Sequence, residues 1–123
     1  MDFNISHSGE FILAVFAVGM DIGVDVQEMA ECPDYREIAE NFYTAEEAED
    51  VKNEGPDLFF QYWAAKEAYV KALGIGLGRG MDFFSVRNEK IAEKDKKDQD
   101  WFLYPVRIKG YAAYVAAHKK GDR

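Results

Sequence analysis

The longest helix this sequence encodes, Leu58 to Leu73, constrains the fold more than any other feature, because the chain on either side of it must supply a layer for it to pack on. Asp57 stands where an N-cap is expected, and Gly74 can end the helix in the left-handed conformation that glycine adopts cheaply. Ahead of it, Phe3 to Ser6 reads as a short extended piece. Phe11 to Ala17 and Ile22 to Val26 are apolar runs separated by Val18, Gly19, Met20 and Asp21, the pattern of a hairpin. Tyr35, Ile38, Ala39 and Phe42 then recur at helical spacing, and Thr44 with Glu47 three positions on has the form of a capping box, so two short acidic helices precede the long one.

Behind the long helix, Gly76, Gly78 and Gly80 suggest a flexible loop, followed by strands at Phe83 to Arg87, Trp101 to Ile108 and Tyr111 to Ala117. The charged stretch from Asn88 to Asp100 is expected to be an exposed turn or mobile loop. Hairpins at both ends with helices between them predict an α+β fold, an antiparallel sheet with helices packed on one face. A doubly wound fold would need strands and helices in alternation. At 123 residues, with no internal repeat or linker, the whole chain 1–123 is expected to form a single domain.

The glycines after the helix do not make a nucleotide loop, since dinucleotide and phosphate-loop motifs follow a strand and open a helix. No apolar run is long enough to span a bilayer, the longest being Phe11 to Val18. Cys32 stands alone and permits no intramolecular disulfide; a soluble protein of the reducing cytoplasm is expected, with no membrane partner. The net charge of −8 argues against a nucleic-acid partner. That charge is unevenly spread: Met1 to Asp57 holds fifteen acids against Arg36 and Lys52, whereas Leu58 to Arg123 holds thirteen bases against eight acids. An anionic ligand therefore belongs on the second half, or needs a cation to approach the first.

Asp25 interrupts an apolar strand, and alternation places it on one face with Gly23 and Gln27. Taken alone, it reads as a residue on a wet sheet face. In the long helix Trp63, Glu67 and Lys71 share a stripe, with Lys66 beside it. The plainer reading is a Glu67–Lys71 surface pair contributing about 0.3–0.5 kcal/mol. If Asp25 lies near Glu67, however, two carboxylates from separate elements form a site for magnesium, which retains water and takes up phosphate oxygens. Ser6, His7 and Ser8 form a polar patch that can donate to phosphate, although a histidine at such a turn is more often structural.

In sequence order these features resemble the surfactin-type phosphopantetheinyl transferases. The resemblance rests on Asn4-Ile5-Ser6-His7-Ser8-Gly9, on Gly23-Val24-Asp25-Val26, on Trp63-Ala64-Ala65-Lys66-Glu67-Ala68-Tyr69-Val70-Lys71, and on Gly74-Ile75-Gly76-Leu77 continuing to Phe84-Ser85-Val86. It implies transfer of 4'-phosphopantetheine from coenzyme A to a serine of an acyl or peptidyl carrier protein, with Mg2+ held by Asp25 and Glu67. It further implies that Glu67 helps deprotonate the serine, that Lys66 and Lys71 meet phosphates or the leaving group, and that Ser6 and His7 contact the coenzyme. Many members carry glutamate where Gln27 stands, so its amide oxygen or a water would complete the metal's ligands. The family's surfactin-type members are tandems of two similar halves, and this chain resembles the second. A homo-oligomer is therefore expected to complete the site, as identical subunits do in the related holo-acyl-carrier-protein synthases. The competing expectation is a half-domain that binds coenzyme A or a carrier protein without turnover.

Overall fold

A computed structural model describes residues 2–75, 80–93 and 100–119. The strands are β1 (Asp2–Ser8), β2 (Phe11–Ala17), β3 (Met20–Glu28), β4 (Phe84–Ser85), β5 (Ala92–Glu93), β6 (Phe102–Pro105) and β7 (Tyr111–Lys119). The helices are α1 (Tyr35–Phe42), α2 (Ala45–Glu54) and α3 (Pro56–Leu73). All pairings are antiparallel, in the sheets β1-β2, β3-β7-β6 and β4-β5. This is an α+β fold. None of the helices among the described residues is long and apolar enough to cross a membrane.

The three-stranded sheet carries the molecule. Gly23, Asp25 and Gln27 of β3 lie opposite Ala116, Tyr114 and Ala112 of β7, and this face packs under α3, whose Ala64, Ala65, Ala68 and Tyr69 are buried in the core. The reverse face, with Val24, Val26, Ala113 and Ala117, is also buried, and both β1 and β2 lie against β3. The small residues of β7 and α3 let the helix settle close to the sheet, which decides how near its polar side chains come to those of β3.

Several expectations are corrected. The run Phe11–Ala17 does not form a hairpin with Ile22–Val26; β2 turns back onto β1, and β3 takes β7 as its partner from the far end of the chain. Asp57 does not cap the long helix. Gly55 is the N-cap residue, Pro56 opens the helix with a pre-set φ, and Asp57 sits in the first turn, where its charge complements the helix dipole. The strand expected over Trp101 to Ile108 is confined to Phe102–Pro105, with a single bridge from Ile108 to Tyr111. Within Asn88 to Asp100, Ala92 and Glu93 pair with β4, and the loop glycines Gly76 and Gly78 lie outside the described residues. The capping box forms as expected: Thr44 Oγ1 accepts from the Glu47 amide at 3.2 Å, and Glu47 Oε1 accepts from the Thr44 amide at 3.0 Å.

Candidate active site

Gly23 explains how the site is assembled. A Cβ at this position would come within 2.6 Å of the Ala72 amide nitrogen and would also strike the Ala68 carbonyl. Only a residue without a side chain lets α3 cross β3 this closely. The crossing brings the stripe Glu67–Lys71 over the strand position two residues beyond Gly23, which is Asp25.

Asp25 is buried and held from three sides. Ser6 Oγ donates to its Oδ1 at 3.2 Å, Gln27 Nε2 donates to its Oδ2 at 3.0 Å, and the Lys71 ammonium stands 3.7 Å from Oδ1. Burial nevertheless dominates, and the carboxyl is raised above its ordinary value despite the donors and the cation that lower it. Glu67, half-buried on α3, is raised as well, first by burial and then by the charge of Asp25, with Lys71 opposing. The two carboxyls therefore share one electrostatic neighbourhood, as the pairing of β3 with α3 requires. Two partly desolvated acids that repel each other are a donor set that a divalent cation relieves. Among the described residues no group of three or more histidine, cysteine or acidic side chains is placed to hold a metal ion. A metal here would thus rest on Asp25, Glu67, the Gln27 amide and non-protein ligands.

Ser6 belongs to a seam that sequence spacing did not disclose. The side chains of Asn4, Ser6 and Ser8 accept from the backbone amides of Val24, Val26 and Glu28 at 2.9, 3.1 and 2.8 Å. β1 therefore runs parallel to β3 but is joined to it by alternate side chains in place of backbone carbonyls. Lys71 closes the same seam, donating to the carbonyls of Val24 at 2.9 Å and Ile5 at 3.3 Å. The polar patch singled out in the sequence was visible, whereas its spacing of two matched against β3 required the tertiary pairing.

The other expected residues are placed differently. His7 alternates to the outer face of β1, opposite Ile12 of β2, and is exposed. It does not converge with Ser6 on one point of this chain. Lys66 does not face the site, which corrects its assignment as a coenzyme contact. Its ammonium is fully buried, 2.7 Å from Glu47 Oε1, and donates to the carbonyls of Met81 at 2.7 Å and Phe84 at 2.6 Å. A lysine has three N–H donors, and all three are used, leaving none for a phosphate. Glu47 in turn accepts from the Val86 amide at 2.7 Å, so Lys66 and Glu47 tie α3, α2 and the β4 region together.

A family model described as the 4'-phosphopantetheinyl transferase superfamily matches residues 21–117. The 4'-phosphopantetheinyl transferase ffp of Bacillus subtilis is 40% identical over 69% of this chain and 38% of its own length. Sfp, a 4'-phosphopantetheinyl transferase of Bacillus subtilis strain 168, is 38% identical over the same shares. L-aminoadipate-semialdehyde dehydrogenase-phosphopantetheinyl transferase of Rattus norvegicus is 29% identical over 98% of this chain and 47% of its own length. The chain thus spans less than half the length of these relatives.

Proposed function

Since this chain belongs to the 4'-phosphopantetheinyl transferase superfamily, we propose that it transfers the 4'-phosphopantetheine arm of coenzyme A to a serine of an acyl or peptidyl carrier protein in the cytoplasm. The observation that carries the reading is the crossing of α3 over β3 at Gly23, which sets the Lys71 ammonium 3.7 Å from Asp25 with Glu67 one turn earlier on the same stripe of the helix. Asp25, Glu67 and the amide oxygen of Gln27 would hold Mg2+, after rotation of that amide away from its present bond to Asp25. When bound, the cation supplies positive charge against the pyrophosphate oxygens.

The remaining work falls to side chains. Glu67 takes the proton of the carrier serine; the serine oxygen forms a bond to the phosphorus bearing the pantetheine arm. The bond from that phosphorus to the bridging oxygen breaks, and adenosine 3',5'-bisphosphate leaves with the electron pair. Lys71, held at the seam beside Asp25, offsets negative charge on the phosphates. Ser6 orients Asp25 through its hydroxyl, and the exposed imidazole of His7 is free to meet a phosphate of the coenzyme from the outer face of β1. Lys66 acts by holding α3 in place.

We further propose that the chain works as a homo-oligomer. Phe3, Phe16, Ile12 and Val18 are 62, 61, 73 and 81% exposed on and beside the outer face of the β1–β2 hairpin, an apolar face that in water favours a cover. The test of function is a gain of phosphopantetheine mass on an apo carrier protein incubated with this protein, coenzyme A and Mg2+. Glu67→Ala is expected to abolish the gain while leaving the fold intact, and labelling at the normal rate by that variant would refute the mechanism. The bond from Gln27 to Asp25, where a third carboxylate is absent, favours a second reading as a binding half-domain. Calorimetry showing tight coenzyme A binding, with no transfer under any divalent metal, would select it.

A further inference from the structure

A cavity of about 400 Å³ opens between the first half of α3 and the connection from β6 to β7, lined by Gln61, Glu89, Arg107, Lys109 and Tyr114 among others. It lies next to the site described above. Tyr114 is directly across from Asp25 in the β3–β7 ladder, so their side chains share the sheet face beneath α3. Gln61 precedes Glu67 by six residues on that helix, a rise of about 9 Å.

Two of the residues lining this cavity, Arg107 and Lys109, are exposed cations. Near the helices, Lys66 is consumed by Glu47 and two carbonyls, and Arg87 by Glu46 and Asp50. Arg107 and Lys109, two positions apart on one turn, have no hydrogen bond or ion pair with a protein group among the described residues. The Tyr114 hydroxyl also makes no hydrogen bond there, and it lies in the field of both Glu89 and Arg107. The cavity therefore offers two solvent-exposed cations, a hydroxyl, the amide of Gln61 and the carboxylate of Glu89.

We propose that this cavity is an acceptor-docking cleft, in which Arg107 and Lys109 hold a carboxylate side chain of the protein substrate next to the Asp25–Glu67 pair. The inference rests on the transferase reading and names the part of this chain that meets its protein substrate. A polypeptide suits the lining better than a polyphosphate does. An acidic side chain meets Arg107 and Lys109, backbone amides and carbonyls meet Gln61, Tyr114 and Glu89, and Glu89 would repel a multiply charged phosphate. The rest of the surface reinforces the choice, because Glu28 to Asp57 holds eleven acids against Arg36 and Lys52 and repels an acidic partner, so approach is steered to the basic cleft.

The test measures binding and turnover separately, with an apo acyl carrier protein and coenzyme A as probes. The double variant Arg107→Glu, Lys109→Glu is expected to bind the apo carrier roughly tenfold more weakly at low salt, with the difference shrinking as salt rises. Its affinity for coenzyme A should be unchanged, which also reports that it folds. Glu89→Lys, which adds a cation to the same cleft, is expected to tighten carrier binding. In turnover the double variant should raise KM for the carrier and leave kcat alone. Equal carrier affinity in wild type and both variants, no carrier binding by the wild type, or a loss confined to coenzyme A affinity would each overturn the proposal. Carrier binding that depends on Arg107 and Lys109, without transfer by the wild type, would uphold the cleft and refute the transferase reading alone.

Discussion

Asp25→Asn should lower the Glu67 carboxyl toward its ordinary range, because the substitution removes a neighbouring negative charge while leaving the burial that also raises it. Carbon-detected NMR titration of Glu67 in the two proteins reads this directly, and an unchanged midpoint would separate the two groups in space. The sign for stability follows from the same shifts. With both carboxyls raised above ordinary values of 3.8 and 4.5, the stability they confer is complete below those values and is lost as pH climbs through the folded ones. Above that range the ionised pair opposes folding, a penalty that the proposed Mg2+ would remove. Lys66→Ala is expected to cost about 3–5 kcal/mol, since it strands the buried Glu47 carboxylate; thermal unfolding checks this, and a variant of normal stability with weakened coenzyme binding would return Lys66 to the phosphates. Asp25 and Glu67 were singled out in the sequence by the family resemblance, since local pattern alone reads the first as a wet-face residue and the second as half of a surface pair. The direction of Lys66 was not legible, because its partner Glu47 sits on another helix and nothing in the spacing of α3 distinguishes an inward lysine from an outward one.

At the scale of elements, the same division holds. α3, the capping box of α2 and the existence of β3 and β7 follow from local pattern. Partner choice does not: β2 and β3 are adjacent and both apolar, yet β3 pairs with a strand over eighty residues away, since Ala112 and Ala116 offer the small surface that α3 needs on that face of the sheet. The start of α3 was misplaced for a related reason, as Gly55 with φ 99° and Pro56 begin the helix without a side-chain cap. Gly23→Ala tests the crossing of α3 over β3. Its Cβ meets backbone, which cannot rotate away, so a loss of roughly 1–3 kcal/mol is expected in denaturant unfolding. Metal affinity should fall with it as Glu67 is lifted from Asp25, whereas a variant with native stability would mean that the helix has room to spare.

For the whole molecule, the outer hairpin face is where solvation and the proposed assembly meet. Phe3 stacks on Phe16 with ring centroids 6.1 Å apart, and Ile5 and Ile12 continue the apolar surface along both strands. Phe16→Lys is expected to shift sedimentation toward monomer and to lower carrier labelling at dilute concentration; a wild type already monomeric and active at working concentration would remove the homo-oligomer. The hairpin's attachment to the rest of the protein has a different character from the β3–β7 ladder. A backbone ladder is indifferent to which residues compose it and is lost only by unzipping. The seam of Asn4, Ser6 and Ser8 is written in individual side chains, so each tooth can be deleted by one codon while its neighbours hold. How firmly β1 clasps the strand that bears Asp25 is therefore a quantity that mutation can set in small steps, independently of whether the sheet itself exists.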